Sequence, residues 1–402
     1  MEARGAHESS KRLLVLGAGP AQLGLLAAAR ERGLFVVAAD RDPGAPGFFY
    51  ADRRALFSTE DEPALERLAL AERVDGVIAP GIDWPVAIAA RIAERCGLSH
   101  PLDSTAALLA TSKHRQRERL AEAGVPQPRW TVVSEPDDEL GFPCVVKAPD
   151  RQGQRGLSLV RAPGELEGAV AAAVAASRSG SCVIEELVQG PEVTVNAFSL
   201  DGRFVPLTIT DRTTAEPPAF GVALAHVWRS EHAGPETVDV ARRAAEALGI
   251  RSGPTYTQLR IGPDGPQVVE LAARLGGGHD AELCRAALGV DLNGLALGAA
   301  LGEEVREPWP SARVGGACTL FLVAPEGELR DVTGADEAIR LDGVEEIRIY
   351  RDPGYRFGPL RRGADRAGAV LAVGASRDEA LERARAAAGL IHFETVDAEA
   401  LV

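Results

Sequence analysis

Residues 13–16 form a short apolar run that Gly17-Ala18-Gly19-Pro20 breaks, and from residue 22 to 32 the apolar positions recur at helical spacing. The pattern predicts strand, turn, helix. A second strand, residues 34–39, ends at Asp40. A third, residues 76–79, runs into Gly81-Ile82-Asp83 and a helix over 84–96. Strands alternating with helices predict a parallel sheet covered on both faces.

A helix of different character, residues 112–123, is rich in Lys, Arg and Glu and marks a first boundary. Beyond it, strands at 144–147, 158–160, 182–186 and 193–200, with an Ala-rich helix at 166–177, predict an α+β unit. A helix at 236–248 leads to strands 256–261 and 267–271, joined by Gly262-Pro263-Asp264-Gly265, a hairpin signal. Past Trp309-Pro310 the chain is strand-rich again, at 315–323 and 346–350, and closes on a helix at 378–389. The expected domains are residues 1–111, 112–305 with a lid over about 130–190, and 306–402.

With 402 residues and a net charge of -14, the chain is large enough for several cores and unsuited to a nucleic-acid backbone. No apolar run approaches the ~20 residues that span a bilayer, so no membrane partner is expected. The polar first residues run straight into the strand at 13–16 without the layout of a signal peptide, and five widely spaced cysteines suggest reduced thiols. A cytoplasmic protein fits both.

Gly17 to Gly24 follows a strand and opens a helix, with Asp40 at the distance a dinucleotide fingerprint asks. Gln22 stands where that fingerprint needs a glycine, and Pro20 removes a backbone donor. A tight strand-to-helix crossover is the simpler reading; a nicotinamide-dependent dehydrogenase is the alternative. No G-x-x-x-x-G-K-[ST] sequence exists here, so a P-loop is excluded.

The chemistry gathers between residues 113 and 274. Lys147 ends an apolar strand, and the loop from Asp150 through Gln152, Gly153 and Gly156 offers backbone N–H groups and two arginines to phosphates. The strand carrying Glu185, Glu186 and Val188 breaks at Gly190-Pro191, where backbone groups can meet a base edge and Glu192 can accept from ribose hydroxyls. Gln258 and Glu270 sit on the two strands of one hairpin, an oxygen pair suited to Mg²⁺. Arg274 follows, able to stabilise charge that develops in acyl or phosphoryl transfer, and then Gly276-Gly277-Gly278-His279.

Taken with Lys113, these residues resemble the ATP-grasp superfamily in order and approximate spacing, over about residues 10–305. The resemblance implies an ATP-grasp fold of α/β and α+β parts, with an N-terminal Rossmann-like parallel-sheet domain and a small C-terminal α+β domain. It implies ATP, Mg²⁺ with Mn²⁺ as a substitute, and an acyl phosphate attacked by an amine. Lys113 and Lys147 are similar to the pair that contacts the phosphates, and residues 152–156 to the lid. Glu185, Glu186 and Val188 correspond to the adenine hinge, Glu192 to the ribose ligand and Glu270 to the metal bridge. Gln258 stands where many members are acidic, and Ala272 where many carry a metal-binding Asn.

Residues 270–279 and 289–292 look most like the L-amino-acid ligases that make dipeptides. The implied partners are a small carboxylate and an amine, with His279 or Asp280 to orient or deprotonate the amine. A homodimer is the expectation by analogy. A carboxylating or purine-type ligase and a non-catalytic ATP-binding regulator are the other readings.

Overall fold

The computed structural model describes residues 10–308 and 310–396. Trp309, which marks a boundary in the sequence, and the polar residues 1–9 lie outside them, as do residues 397–402.

The N-terminal region is a parallel sheet of β1 (Arg12–Leu16), β2 (Phe35–Ala39), β3 (Arg53–Ala55) and β4 (Gly76–Ile78), in the order β3-β2-β1-β4. In β1, Leu13 and Val15 join one hydrophobic cluster while Leu14 and Leu16 join another. A strand buried on both faces reads as a continuous apolar run, which is why alternation is absent there. Helices α1 (Leu23–Glu31), α2 (Glu62–Glu72) and α3 (Trp84–Cys96) supply the covering layers. The last of these begins with Pro85 in its first turn and stops at Gly97 in the left-handed region, the usual asymmetry of helix ends. The short strand β3 and helix α2 are additions to the sequence reading.

Helix α4 (Ser104–Ala110) and the charged α5 (Lys113–Glu122) lead to an antiparallel four-stranded lid. Its strands are β5 (Trp130–Val133), β6 (Cys144–Lys147), β7 (Leu157–Val160) and β8 (Cys182–Glu186), ordered β5-β8-β6-β7. Helix α6 (Pro163–Ala176) packs Leu166, Val170 and Ala173 on its inner face.

The largest sheet has eight antiparallel strands. It begins with β9 (Glu192–Leu200), β10 (Arg203–Thr214) and β11 (Ala223–Trp228), and after α7 (Pro235–Ala247) continues with β12 (Gly253–Gly262) and β13 (Gly265–Ala272). Helices α8 (Asp280–Leu288) and α9 (Leu292–Ala300) follow. The last part of the chain adds β14 (Gly316–Leu322), β15 (Gly327–Thr333), α10 (Ala335–Ala338), β16 (Val344–Ile349), β17 (Arg356–Phe357), β18 (Gly368–Gly374), α11 (Arg377–Leu390) and β19 (His392–Val396). The strand order is β13-β12-β9-β10-β11-β14-β18-β16, so three strands from the last part of the chain extend the sheet that β9 to β13 build. A smaller sheet, β17-β15-β19, stands beside it.

All five cysteines are free thiols, four of them buried. No helix among the described residues is long and apolar enough to cross a membrane.

Candidate active site

A cavity of about 510 Å³ opens between the N-terminal sheet, the lid and the large sheet. The turn at Gly262 and Gly265 pairs β12 with β13, and a register shift between Gln258 and Leu259 brings Gln258 opposite Glu270. Both line the cavity, as do Lys113, Lys147, Gln152, Gly153, Glu185, Glu186, Val188, Glu192 and Arg274. Gly156 lies just outside the wall; its carbonyl accepts from the Ala148 N–H at 3.0 Å and closes the loop. A Cβ on Gly156 would sit 2.9 Å from Ala176, which accounts for the glycine.

Lys113 opens α5, whose first turn is capped by Ser112. Its Nζ lies 2.8 Å from Glu270 and donates to the Arg151 carbonyl at 2.7 Å, joining the large sheet to the lid loop. Burial opposes the charge of Glu270, but Lys113 and Lys147 outweigh it and hold the carboxyl at about 2. Burial likewise opposes the charge of Lys113, but Glu270, Asp83 and Glu185 together outweigh it and raise its pKa. Lys147 lies 2.7 Å from Glu185, yet burial prevails and lowers its pKa.

The sequence reading missed Arg117. It sits one helical turn past Lys113 and grips the buried Glu185 at 2.7 and 3.0 Å. It also donates to the carbonyls of Val268 and Val269. Glu185 therefore answers two cations with its side chain and leaves the strand end beyond it to meet a ligand. Glu186 is turned outward to Arg129 at 2.7 Å. Glu192 pairs with Arg212 and lies 3.5 Å from Arg260. Arg274 is clamped to Asp83 at 2.5 Å, so the loop before α3 positions it from across the cavity. A rhythm of Arg on charged helices and strands gives no local signal for Arg117 or Arg212, because their partners are distant in the chain.

His279 does not line the cavity. It adopts a left-handed backbone conformation ahead of α8, where its Nε2 meets the Tyr350 hydroxyl and its ring packs near Phe321. The imidazole on the wall is His226, on β11. Its Nδ1 is 3.4 Å from Asp280, and burial lowers its pKa to about 4 against the pull of that carboxylate. Asp280 itself accepts from the Gly278 N–H and from Asn196.

The first glycine loop lines the same cavity through Gly17, Gly19 and Asp40, with its polar groups engaged by neighbours. Asp40 accepts from the Ala18 N–H at 2.9 Å, and Gln22 donates to the Pro80 carbonyl at 2.6 Å while packing on Gly17. Asp40 is thus engaged with the chain at the place where a dinucleotide site would use it.

A hard cation fits the donors present. Gln258 and Glu270 offer oxygens across one hairpin, and among the described residues no group of three or more His, Cys, Asp or Glu could hold a metal. Two protein oxygens suit Mg²⁺, which keeps waters and takes further ligands from substrate phosphates. Ala272, buried at 3% exposure, adds no donor.

Residues 140–282 match the ATP-grasp domain family, and residues 320–396 match L-amino acid ligase C-terminal domain 2. The chain is 30% identical over 289 residues to the uncharacterized protein y4rH of Sinorhizobium fredii, covering 67% of this chain and 58% of that protein. It thus spans less than two thirds of that relative's length. It is 29% identical over 408 residues to a formate-dependent phosphoribosylglycinamide formyltransferase of Burkholderia thailandensis, covering 95% of each. An L-amino acid ligase structure from Bacillus licheniformis superposes with a TM-score of 0.79 at 23% identity, over 97% of this chain and 100% of that one. At that identity the likeness establishes the fold.

Proposed function

We propose that this chain, an ATP-grasp protein with an L-amino acid ligase C-terminal domain, uses ATP and Mg²⁺ to activate a carboxylate and couple it to an amine. The observation that carries the reading is the convergence of Lys113, Lys147, Glu270 and Arg274 on one cavity whose hinge strand is held by a buried Glu185.

Bound MgATP supplies the phosphoryl group that converts an unreactive carboxylate into an acyl phosphate open to attack by an amine. The residues of the chain position and stabilise. Lys113 and Lys147, two ammoniums of limited exposure, offset phosphate charge where little water competes. Gln258 and Glu270 would hold the metal through their side-chain oxygens. The loop 152–156 brings backbone N–H groups over the phosphates, and Lys113 senses its position through the Arg151 carbonyl. Glu186 and Val188 present the base-recognising backbone, and Glu192 takes the ribose. Arg274, aimed by Asp83, stabilises negative charge on the transferring group and the tetrahedral intermediate. For the proton of the attacking amine, the wall offers the neutral imidazole of His226, beside Asp280. An amino acid as one or both substrates, giving a dipeptide, is supported by the C-terminal domain match.

A second reading has an observation of its own. The 95% mutual coverage with a formate-dependent formyltransferase supports a purine-type ligase that uses the same cavity for a small carboxylate and a phosphorylated amine. Orthophosphate release from ATP and Mg²⁺ across pairs of carboxylates and amines, with product masses, separates the two. Release that needs two amino acids supports dipeptide synthesis; release that needs formate and a phosphorylated amine supports the second. Nucleotide binding with no release under any pair removes both.

A further inference from the structure

Behind the wall imidazole stands a carboxylate that is itself shut off from the cavity. Asp280 opens α8 at 1% exposure, while His226, equally buried on β11, still borders the cavity beside Gly277 and Gly278. The two oxygens of Asp280 are fixed separately. Oδ2 accepts from the Gly278 N–H at 3.1 Å, and Oδ1 accepts at 3.2 Å from Asn196, whose amide also donates to Thr208 at 3.2 Å. Strands β9 and β10 and the turn before α8 therefore hold this carboxylate in one orientation.

An ionised carboxylate oxygen accepts two hydrogen bonds, so Oδ1 keeps a lone pair after Asn196 is served. His226 Nδ1 lies 3.4 Å from it. That nitrogen is buried and has no hydrogen-bond partner among the described residues. The other ring nitrogen has room elsewhere. A Cβ on Gly278 would lie 2.9 Å from Nε2, so the missing side chain leaves Nε2 its opening. Phe321 packs edge-on against the ring, with the centroids 5.8 Å apart. Burial keeps the imidazole neutral against the pull of Asp280, with Arg212 and Arg366 on the side of burial and Glu192 on that of Asp280. A neutral ring carries one proton, and the carboxylate that can accept it stands on the Nδ1 side.

On the ligase reading above, we infer that Asp280 is a positioning residue: it keeps the proton of His226 on Nδ1, so that Nε2 presents a lone pair to the amine substrate and takes its proton as the amide bond forms. The amine nitrogen attacks the carbonyl carbon of the acyl phosphate and the C–N bond forms. The surplus proton of that nitrogen passes to Nε2, and the resulting imidazolium sits against Asp280. The C–O bond to the phosphate then breaks, and the phosphate leaves with the electron pair and receives the proton. Asp280 thus acts first on the tautomer and then on the charge of the ring, in a place where little water competes.

Two measurements on the full chain test this. Ring-nitrogen NMR of the histidine-labelled chain at neutral pH, assigned with His226→Gln, reads the tautomer without any substrate. A protonated Nδ1 and a bare Nε2 are expected. Asp280→Asn, whose amide can donate where the carboxylate accepted, is expected to move the proton to Nε2. The second measurement supplies MgATP and the proteinogenic L-amino acids, with and without hydroxylamine. Hydroxylamine is uncharged at neutral pH and traps an acyl phosphate as hydroxamate with no base from the protein, while coupling of two amino acids needs one. The ratio of dipeptide to hydroxamate, read by mass, is expected to fall ~100-fold in Asp280→Asn and in His226→Gln. A role confined to packing would lower both products together and leave the ratio unchanged. If Asp280→Asn does not fold, the wild-type tautomer and His226→Gln still decide the matter. A protonated Nε2 in the wild-type chain, an unchanged ratio in the variants, or hydroxamate with no dipeptide from the wild-type chain overturns the inference and leaves carboxylate activation standing. No hydroxamate from the wild-type chain removes the ligase reading, and the inference with it.

Discussion

Arg117 and Glu185, 68 positions apart in the chain, meet in a two-bonded ion pair of 2.7 and 3.0 Å whose side chains are each 3% exposed. The pair ties α5 to the last strand of the lid sheet, and Lys147 completes it from the neighbouring strand. Taking both ions from water is costly, so the pair holds only because Arg117 spends its remaining donors on Val268, Val269 and Gln127. Removing one member leaves a buried charge short of its counterion. Arg117→Met is therefore expected to cost ~3–5 kcal/mol in urea denaturation. Arg242→Ala, whose Asp239 and Glu246 partners are about half exposed, should cost under ~1 kcal/mol. Equal losses in the two variants would contradict the assignment.

Glu270 pairs with Lys113 at 2.8 Å, and on the proposed reading its charge would also hold the metal. Glu270→Gln keeps the shape of the side chain and one oxygen, and removes the negative charge. ATP-dependent phosphate release is expected to fall by ~100-fold or more, equivalent to at least ~2.7 kcal/mol of lost transition-state stabilisation. The fall should be in kcat as well as in nucleotide affinity. A variant with undiminished kcat would show that Glu270 does not serve the reaction.

The buried histidines set a pH window for stability. His226 is held at about 4 by burial, below its ordinary 6.5, and His100 and His279 are displaced in the same direction. As pH falls below 6.5 the unfolded chain takes up these protons and the folded chain does not, so stability is lost from about 6.5 down towards 4. Glu270, depressed from 4.5, loses its contribution only below 4.5. Urea midpoints measured between pH 7 and 5 should decline, and His226→Gln should flatten the decline. An unchanged slope in the variant would mean that His226 is not held neutral.

Gly190 makes the turn from β8 into β9, between Val188 and Glu192, both of which line the cavity. Its φ is +145°, and a Cβ would lie 1.9 Å from the Ile261 carbonyl oxygen. Because the obstacle is backbone, relief requires moving β12. Gly190→Ala is expected to lower stability by ~2–4 kcal/mol and to weaken nucleotide binding, read by thermal shift with and without MgADP. Gly164→Ala, in the first turn of α6 where a Cβ meets nothing within 4 Å, is the matched control: it should raise stability by at most ~1 kcal/mol and leave nucleotide binding unchanged.

The sequence by itself determined what depends on neighbours in the chain. Apolar runs and their Gly and Pro breaks located β1, β2, α3 and the β12–β13 hairpin and put Gln258 and Glu270 on its two strands, but regular pairing from the turn would set Gln258 against Val269, and only the register shift between Gln258 and Leu259 brings Glu270 opposite it. Strand ends and turns marked Lys147, Glu185, Glu192, Glu270 and Arg274 as candidates, and the resemblance to the ATP-grasp superfamily supplied their order and Lys113. Tertiary structure alone decided which charges meet. Arg117 is one Arg among several on a polar helix until Glu185 and the Val268 carbonyl arrive from 68 and 151 positions away. The same holds for His226 displacing His279 at the wall, since β11 faces the cavity and the left-handed turn before α8 sends His279 behind it. Long-range pairing likewise decides that β14, β18 and β16 extend the large sheet. Burial and electrostatic pairing act through space, and a chain read in order carries no measure of that distance.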